Sequence, residues 1–137
     1  MDIYNGDYIN TVGVAENWPE EFLRKNRETT DLQRENFTKA HESGVIIVYG
    51  TDAGVYPHGD NAKQFTYMVD LGMTNLEAIQ SATIVAAKVM GWEDKIGKIQ
   101  QGYFADLVAL RDNPLLNIQA LENINVVIKG GKLYKYN

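Results

Sequence analysis

The sequence predicts an α/β fold over its first part and a small β part behind it, and three observations carry that reading. A continuous β-branched run, Val45-Ile46-Ile47-Val48-Tyr49, lacks polar alternation, as expected of a strand buried on both faces of a parallel sheet. Segments with helical spacing of apolar residues stand on both sides of that run. After Trp92 the chain turns to short strand-like pieces separated by glycines.

Taken in order, residues 1 to 17 lack clear periodicity, are rich in Asn, Gly and Tyr, and read as a loop. Pro19 suits the first position of a helix, and Glu20 and Glu21 favour the positive end of its dipole. From there to Ser43, Phe22, Leu23, Leu32, Phe37 and Ala40 recur among many charges. They predict one amphipathic helix, or two with a break near Thr29-Thr30, stopped at Gly44. The Val45 to Tyr49 strand follows and ends abruptly in Gly50-Thr51-Asp52-Ala53-Gly54.

A loop with Pro57, His58 and Gly59 leads to a helix from about Asn61 to Leu71, closed by Gly72. Thr74-Asn75-Leu76-Glu77 matches a capping box, opening a helix that runs to Gly91. Beyond it, Ile96 to Ile99 and Ala105 to Leu110 are expected as strands and Asn117 to Leu121 as a helical turn. Val126 to Lys129 and Lys132 to Lys135 read as a hairpin turning at Gly130-Gly131. The boundary between the two parts falls near residue 92.

Composition narrows the chemistry. The 137 residues carry no cysteine, which excludes disulfides, thiolate zinc sites and cysteine nucleophiles. A net charge of −5 without a cluster of lysines and arginines argues against nucleic acid as a partner. The longest apolar run is far too short to cross a bilayer, and the first residues show no leader pattern. A cytoplasmic location, with no membrane association, is the expectation.

Asp52 is the strongest candidate for chemistry. It stands at the carboxyl end of the predicted buried strand, where ligands and catalytic groups of α/β folds gather. Its small neighbours would let a ligand approach, and its carboxylate can bind a hard metal or take a proton. The plain alternative is an aspartate that caps a turn. His58, in the same loop, is a candidate substrate contact, ligand or proton shuttle, or else a surface histidine bonded to backbone. Tyr4 and Tyr8 could line a pocket. His41 suits the negative end of its helix dipole and reads as structural.

With these residues in place, the sequence resembles the amidohydrolase superfamily, in the branch of imidazolonepropionase-like enzymes and metal-dependent Xaa-Pro dipeptidases and carboxypeptidases. The resemblance lies in Gly50-Thr51-Asp52-Ala53-Gly54, Pro57-His58-Gly59-Asp60-Asn61 and Gly72-Met73-Thr74-Asn75-Leu76-Glu77-Ala78-Ile79. Gly97-Lys98-Ile99, Gly102 to Val108 and Asn113-Pro114-Leu115 follow in the same order. The resemblance implies a TIM (β/α)8 barrel with a small composite β-sandwich. Residues 1–91 would then be the carboxy-terminal portion of the barrel, and 92–137 strands of the sandwich. It makes Val45 to Tyr49 the eighth barrel strand and Asp52 its metal-binding, proton-accepting aspartate. It also implies zinc or another divalent metal as cofactor and a small peptide or N-acyl amino acid as substrate. The implied reaction is attack of activated water on an amide carbon, with the aspartate handing a proton to the leaving amine.

The family's His-x-His pair and its other histidine ligands have no counterpart here, since His41 and His58 are the only histidines. A barrel takes roughly 250 residues. The expectation is therefore a carboxy-terminal segment that neither binds metal tightly nor hydrolyses amides alone. Its open barrel surface should make it aggregate or pair. A non-catalytic remnant or interaction module, or an unrelated small α/β binding domain, are the competing readings.

Overall fold

The computed structural model describes residues 3–136. Met1, Asp2 and Asn137 lie outside it, so the loop expected over residues 1 to 17 is tested only from Ile3 on. There the structure differs from expectation: α1 spans Tyr4–Tyr8 and runs directly into a π-turn, Ile9–Gly13. Periodicity did not signal this element because much of what holds it comes from elsewhere in the chain. The Gln64 side-chain oxygen accepts from the Ile3 and Tyr4 amides at 2.9 and 3.0 Å. Gly6 also lies so close to Thr30 that an added Cβ would sit 2.6 Å from its hydroxyl.

Helix α2 spans Glu20–Glu42 without a break, with Pro19 one position earlier than expected, at the cap. Thr29 and Thr30 do not interrupt it. Their hydroxyls donate back to the Lys25 and Asn26 carbonyls at 2.9 and 2.7 Å, keeping both side chains inside the helical pattern. Its end is the predicted one: the Val45 amide reaches the Ala40 carbonyl and the Gly44 amide that of His41, the paired bonds of a Schellman motif. The same pair closes α3, Lys63–Asp70, at Gly72. A 3₁₀ turn, Asp60–Ala62, leads into α3.

The capping box forms as read, with Glu77 accepting from the Thr74 amide at 2.8 Å and Thr74 accepting from the Glu77 amide at 3.2 Å. The helix it opens is split, however, into α4, Asn75–Ala82, and α5, Ile84–Val89. At the split, Thr83 has φ −123° and ψ −96°, and the Ser81 carbonyl accepts from the Tyr49 amide. Gly97 packs into the bend. A Cβ there would lie 2.9 Å from the Thr83 carbonyl oxygen, so the residue must be glycine to approach this closely.

Two expected strands are absent among the described residues. Val45 to Tyr49 and Ile96 to Ile99 are irregular, and Ile46 and Ile99 are 70% and 90% exposed. A strand needs a partner strand to form a ladder, and among the described residues neither segment pairs with one, the Tyr49 amide bonding instead to the Ser81 carbonyl of α4. The sheet that does form is antiparallel and three-stranded: β1 Leu107–Ala109, β2 Val126–Lys129 and β3 Lys132–Tyr136, in that order. Its hairpin turns at Gly130 and Gly131 with φ of 55° and 77°, as a two-residue turn demands. The helical turn expected after Asn117 is a 3₁₀ segment, Ile118–Glu122. The core joins Ile3, Phe37, Met68, Met73, Ala78 and Ile118 across α2, α3, α4 and that turn. The observed architecture is thus helices with a small antiparallel sheet.

Candidate functional site

The irregular run from Val45 delivers the chain to the Asp52 loop, and its last residue is firmly held. Tyr49 stacks on Phe65 at 4.3 Å, and its hydroxyl donates to the Asn61 carbonyl at 2.5 Å. Gly50 faces open space, with no atom within 4 Å of where a Cβ would stand. Asp52 is exposed between the half-buried Thr51 and Ala53, and His58 is exposed six positions later on the same loop. The structure therefore brings these two candidates onto one segment, open to solvent.

The loop is anchored at its middle and at both ends. Tyr56 is only 3% exposed and meets the Tyr4 ring edge-on, with centroids 4.7 Å apart. The Asn61 side chain donates to the Thr51 hydroxyl at 2.8 Å and accepts from the Gly59 amide at 3.1 Å. Tyr4 and Tyr8 pack with Tyr56 in one aromatic cluster, and Trp18 lies beside Tyr8. They brace the loop rather than form the wall of an open pocket.

Two polar networks border this cluster. Lys63 binds Asp60 at 2.8 Å, and Asp60 accepts from the Tyr4 hydroxyl at 3.0 Å. Lys63 and the Tyr4 hydroxyl hold the Asp60 carboxyl below its ordinary range, and Asp60 pushes the Lys63 ammonium up. Burial raises the Tyr4 phenol. On the far side, Tyr67 donates to Asp7 at 2.7 Å while Arg34 pairs with Asp7 at 2.5 Å. Burial, then the hydrogen bond to Asp7, drives the Tyr67 phenol far above its usual range.

His41 stands apart from the loop. Its Nε2 lies 3.7 Å from Glu77, whose carboxyl is held low by the Thr74 amide and hydroxyl. Among the described residues, no three His, Asp or Glu side chains converge, so the donor set a catalytic zinc needs is not completed within them. A cavity of about 370 Å³ between α5 and residues 96–108 is lined by neither Asp52 nor His58. No helix among the described residues is long and apolar enough to cross a membrane. Sequence reading missed Asn61 and Tyr56 as organisers of the loop. Asn61 stood out only as a helix start and as the last residue of the Pro57 to Asn61 stretch, neither of which signals a clamp, and nothing local marked Tyr56.

The profile of the Amidohydrolase family matches residues 7–134. Ochratoxinase from Aspergillus niger is 35% identical over 127 residues, covering 89% of this chain and 25% of that protein. A Xaa-Pro dipeptidase solved with methionine in its active site superposes with a TM-score of 0.90 at 44% identity, over 98% of this chain and 33% of the other. A prolidase complexed with N-methylphosphonate-L-proline gives 0.85 at 29% identity, over 96% of this chain and 33% of that one. The chain thus spans about a quarter of the curated relative and about a third of each solved one. With the profile running through nearly every element described above, the chain belongs to the amidohydrolase family.

Proposed function

We propose that this chain is the carboxy-terminal segment of a metal-dependent hydrolase that cleaves amide or peptide bonds, with a Xaa-Pro dipeptide or another N-acyl amino acid as substrate. Residues 1–91 contribute to the catalytic barrel and 92–137 to a composite sandwich. Asp52 is its metal ligand and proton acceptor, and His58 contacts substrate. The observation that carries this reading is the superposition of 98% of the chain on a Xaa-Pro dipeptidase. The exposed, glycine-flanked placement of Asp52 agrees with it.

The residues present do not by themselves fit a zinc or similar ion, because a catalytic site takes about three protein ligands and no such group converges among those described. What Asp52 supplies is a carboxylate able to accept a proton, and the remaining ligands must come from outside this chain. Alone, the chain is expected to be inactive and to self-associate through its exposed Ile46 and Ile99 faces, which light scattering across a concentration series measures.

The test is a chimera in which this chain replaces the matching third of the Xaa-Pro dipeptidase. Dipeptide hydrolysis that disappears in Asp52→Asn is the expected result. A folded, zinc-loaded chimera whose turnover ignores that substitution would sink the assignment. The want of converging ligands favours a second reading, a non-catalytic remnant or interaction module. That reading predicts a folded chimera with no turnover at all.

A further inference from the structure

We propose that Asn61 is the positioning residue of the Asp52 loop, a single carboxamide that ties the residue before Asp52 to the residue after His58. The inference rests on the reading above only in taking Asp52 and His58 as the working groups. Its geometry stands apart from that reading. The Gly59 amide can only donate, so it faces the Asn61 Oδ1, at 3.1 Å. That fixes the Nδ2 toward the Thr51 hydroxyl, at 2.8 Å. Asn61 is itself fixed, because its carbonyl accepts from the Tyr49 hydroxyl at 2.5 Å and Tyr49 is stacked on Phe65 of α3.

The chemistry at this point calls for an amide. One side must accept and the other meet a hydroxyl, and Asn does both with one short side chain. The loop it closes is largely exposed. Each free residue there would cost ordering entropy on every approach of a ligand, and working groups must be held to within about 0.5 Å to act. Clamping the flanks of Asp52 and His58 through one group sets their separation without occupying the open face at Gly50.

The clamp makes a graded prediction. An aspartate at this position can accept from the Gly59 amide and, once the Thr51 hydroxyl turns to donate, from that residue too, whereas leucine can do neither. Backbone amide exchange resolved by residue in the 137-residue chain, alongside its urea melt, reads the result. In Asn61→Leu the Gly59 amide should exchange about tenfold faster, as loss of one hydrogen bond implies, with the α3 amides unchanged. Asn61→Asp should restore Gly59 protection. Thr51→Val should displace the Thr51 to Gly54 resonances and leave Gly59 protected.

Unchanged Gly59 exchange in a folded Asn61→Leu would overturn the proposal, as would an Asn61→Asp chain that behaves like Leu. Should Asn61→Leu fail to fold, Asn61→Asp and Thr51→Val decide alone: protection of Gly59 in both supports the clamp, and its loss in Asn61→Asp refutes it. None of these readouts needs metal or turnover. A chimera that fails the Asp52→Asn test therefore removes the reaction and leaves the clamp standing.

Discussion

The helical region buries its apolar residues in a core, whereas the more apolar carboxy-terminal strands stay half-buried or exposed. In the helices, Met68 and Ala78 are 2% and 0% exposed, while every position of β3 is exposed. The difference lies in where each element finds its hydrogen bonds. A helix satisfies its backbone within itself, so it forms without a partner strand and can then fold onto a neighbouring helix. A strand borrows its bonds from other strands, and a sheet needs a second layer to bury a face. The same contrast explains why Val45 to Tyr49 and Ile96 to Ile99 read as strands and are irregular here.

That contrast can be broken by substitution. Met68→Ala should cost about 3 kcal/mol in urea unfolding, the usual penalty for an emptied core site. A loss below about 1 kcal/mol would mean the helical core is as loose as the sheet. Gly97→Ala attacks the seam between the regions. Its φ of 87° and the Thr83 carbonyl 2.9 Å from the new Cβ leave no room, and about 2 kcal/mol should be lost in the same measurement.

A smaller effect is tied to pH. The Tyr67 and Tyr4 phenols are raised in the fold, so their contribution is complete below about pH 10 and is lost as pH climbs through the folded values. Urea midpoints should hold steady from pH 7 to about 9 and fall above about 10. Tyr67→Phe should lower the neutral plateau by about 1 kcal/mol and flatten the alkaline fall, with Tyr4 retaining part of it. At the small end, Leu133→Ala on the exposed β3 should cost no more than about 0.5 kcal/mol in the same unfolding measurement. A larger loss would show that the sheet packs against something in solution.

What the sequence revealed follows the same line. Helix α2, the Thr74 capping box, the stop at Gly44 and the Gly130-Gly131 hairpin were legible because each is decided within a few residues. Helix α1 was not, because the Ile3 and Tyr4 amides at its start are satisfied by Gln64 from far along the chain. The break at Thr83 was hidden for a similar reason: the Ser81 carbonyl turns to Tyr49 instead of continuing the helix. At the candidate site, glycines flanking Asp52 announced an accessible carboxylate. The side chain that fixes its loop lies beyond it, at Asn61, and its role emerges only once the loop is folded.

The Gln64 carboxamide has a consequence for the order of folding. Helix α1 has five residues and no side-chain cap of its own, too short to survive as an isolated helix. Its first amides wait for an acceptor about sixty residues away, on a helix that must already be in place. Closing so long a loop is slow compared with forming α2 or α3, so α1 should be absent from the folding transition state and close behind it as a latch. Substitutions in α1 should then quicken unfolding and leave the folding rate alone. The ring contact of Tyr8 with Trp18 places a fluorophore beside that latch.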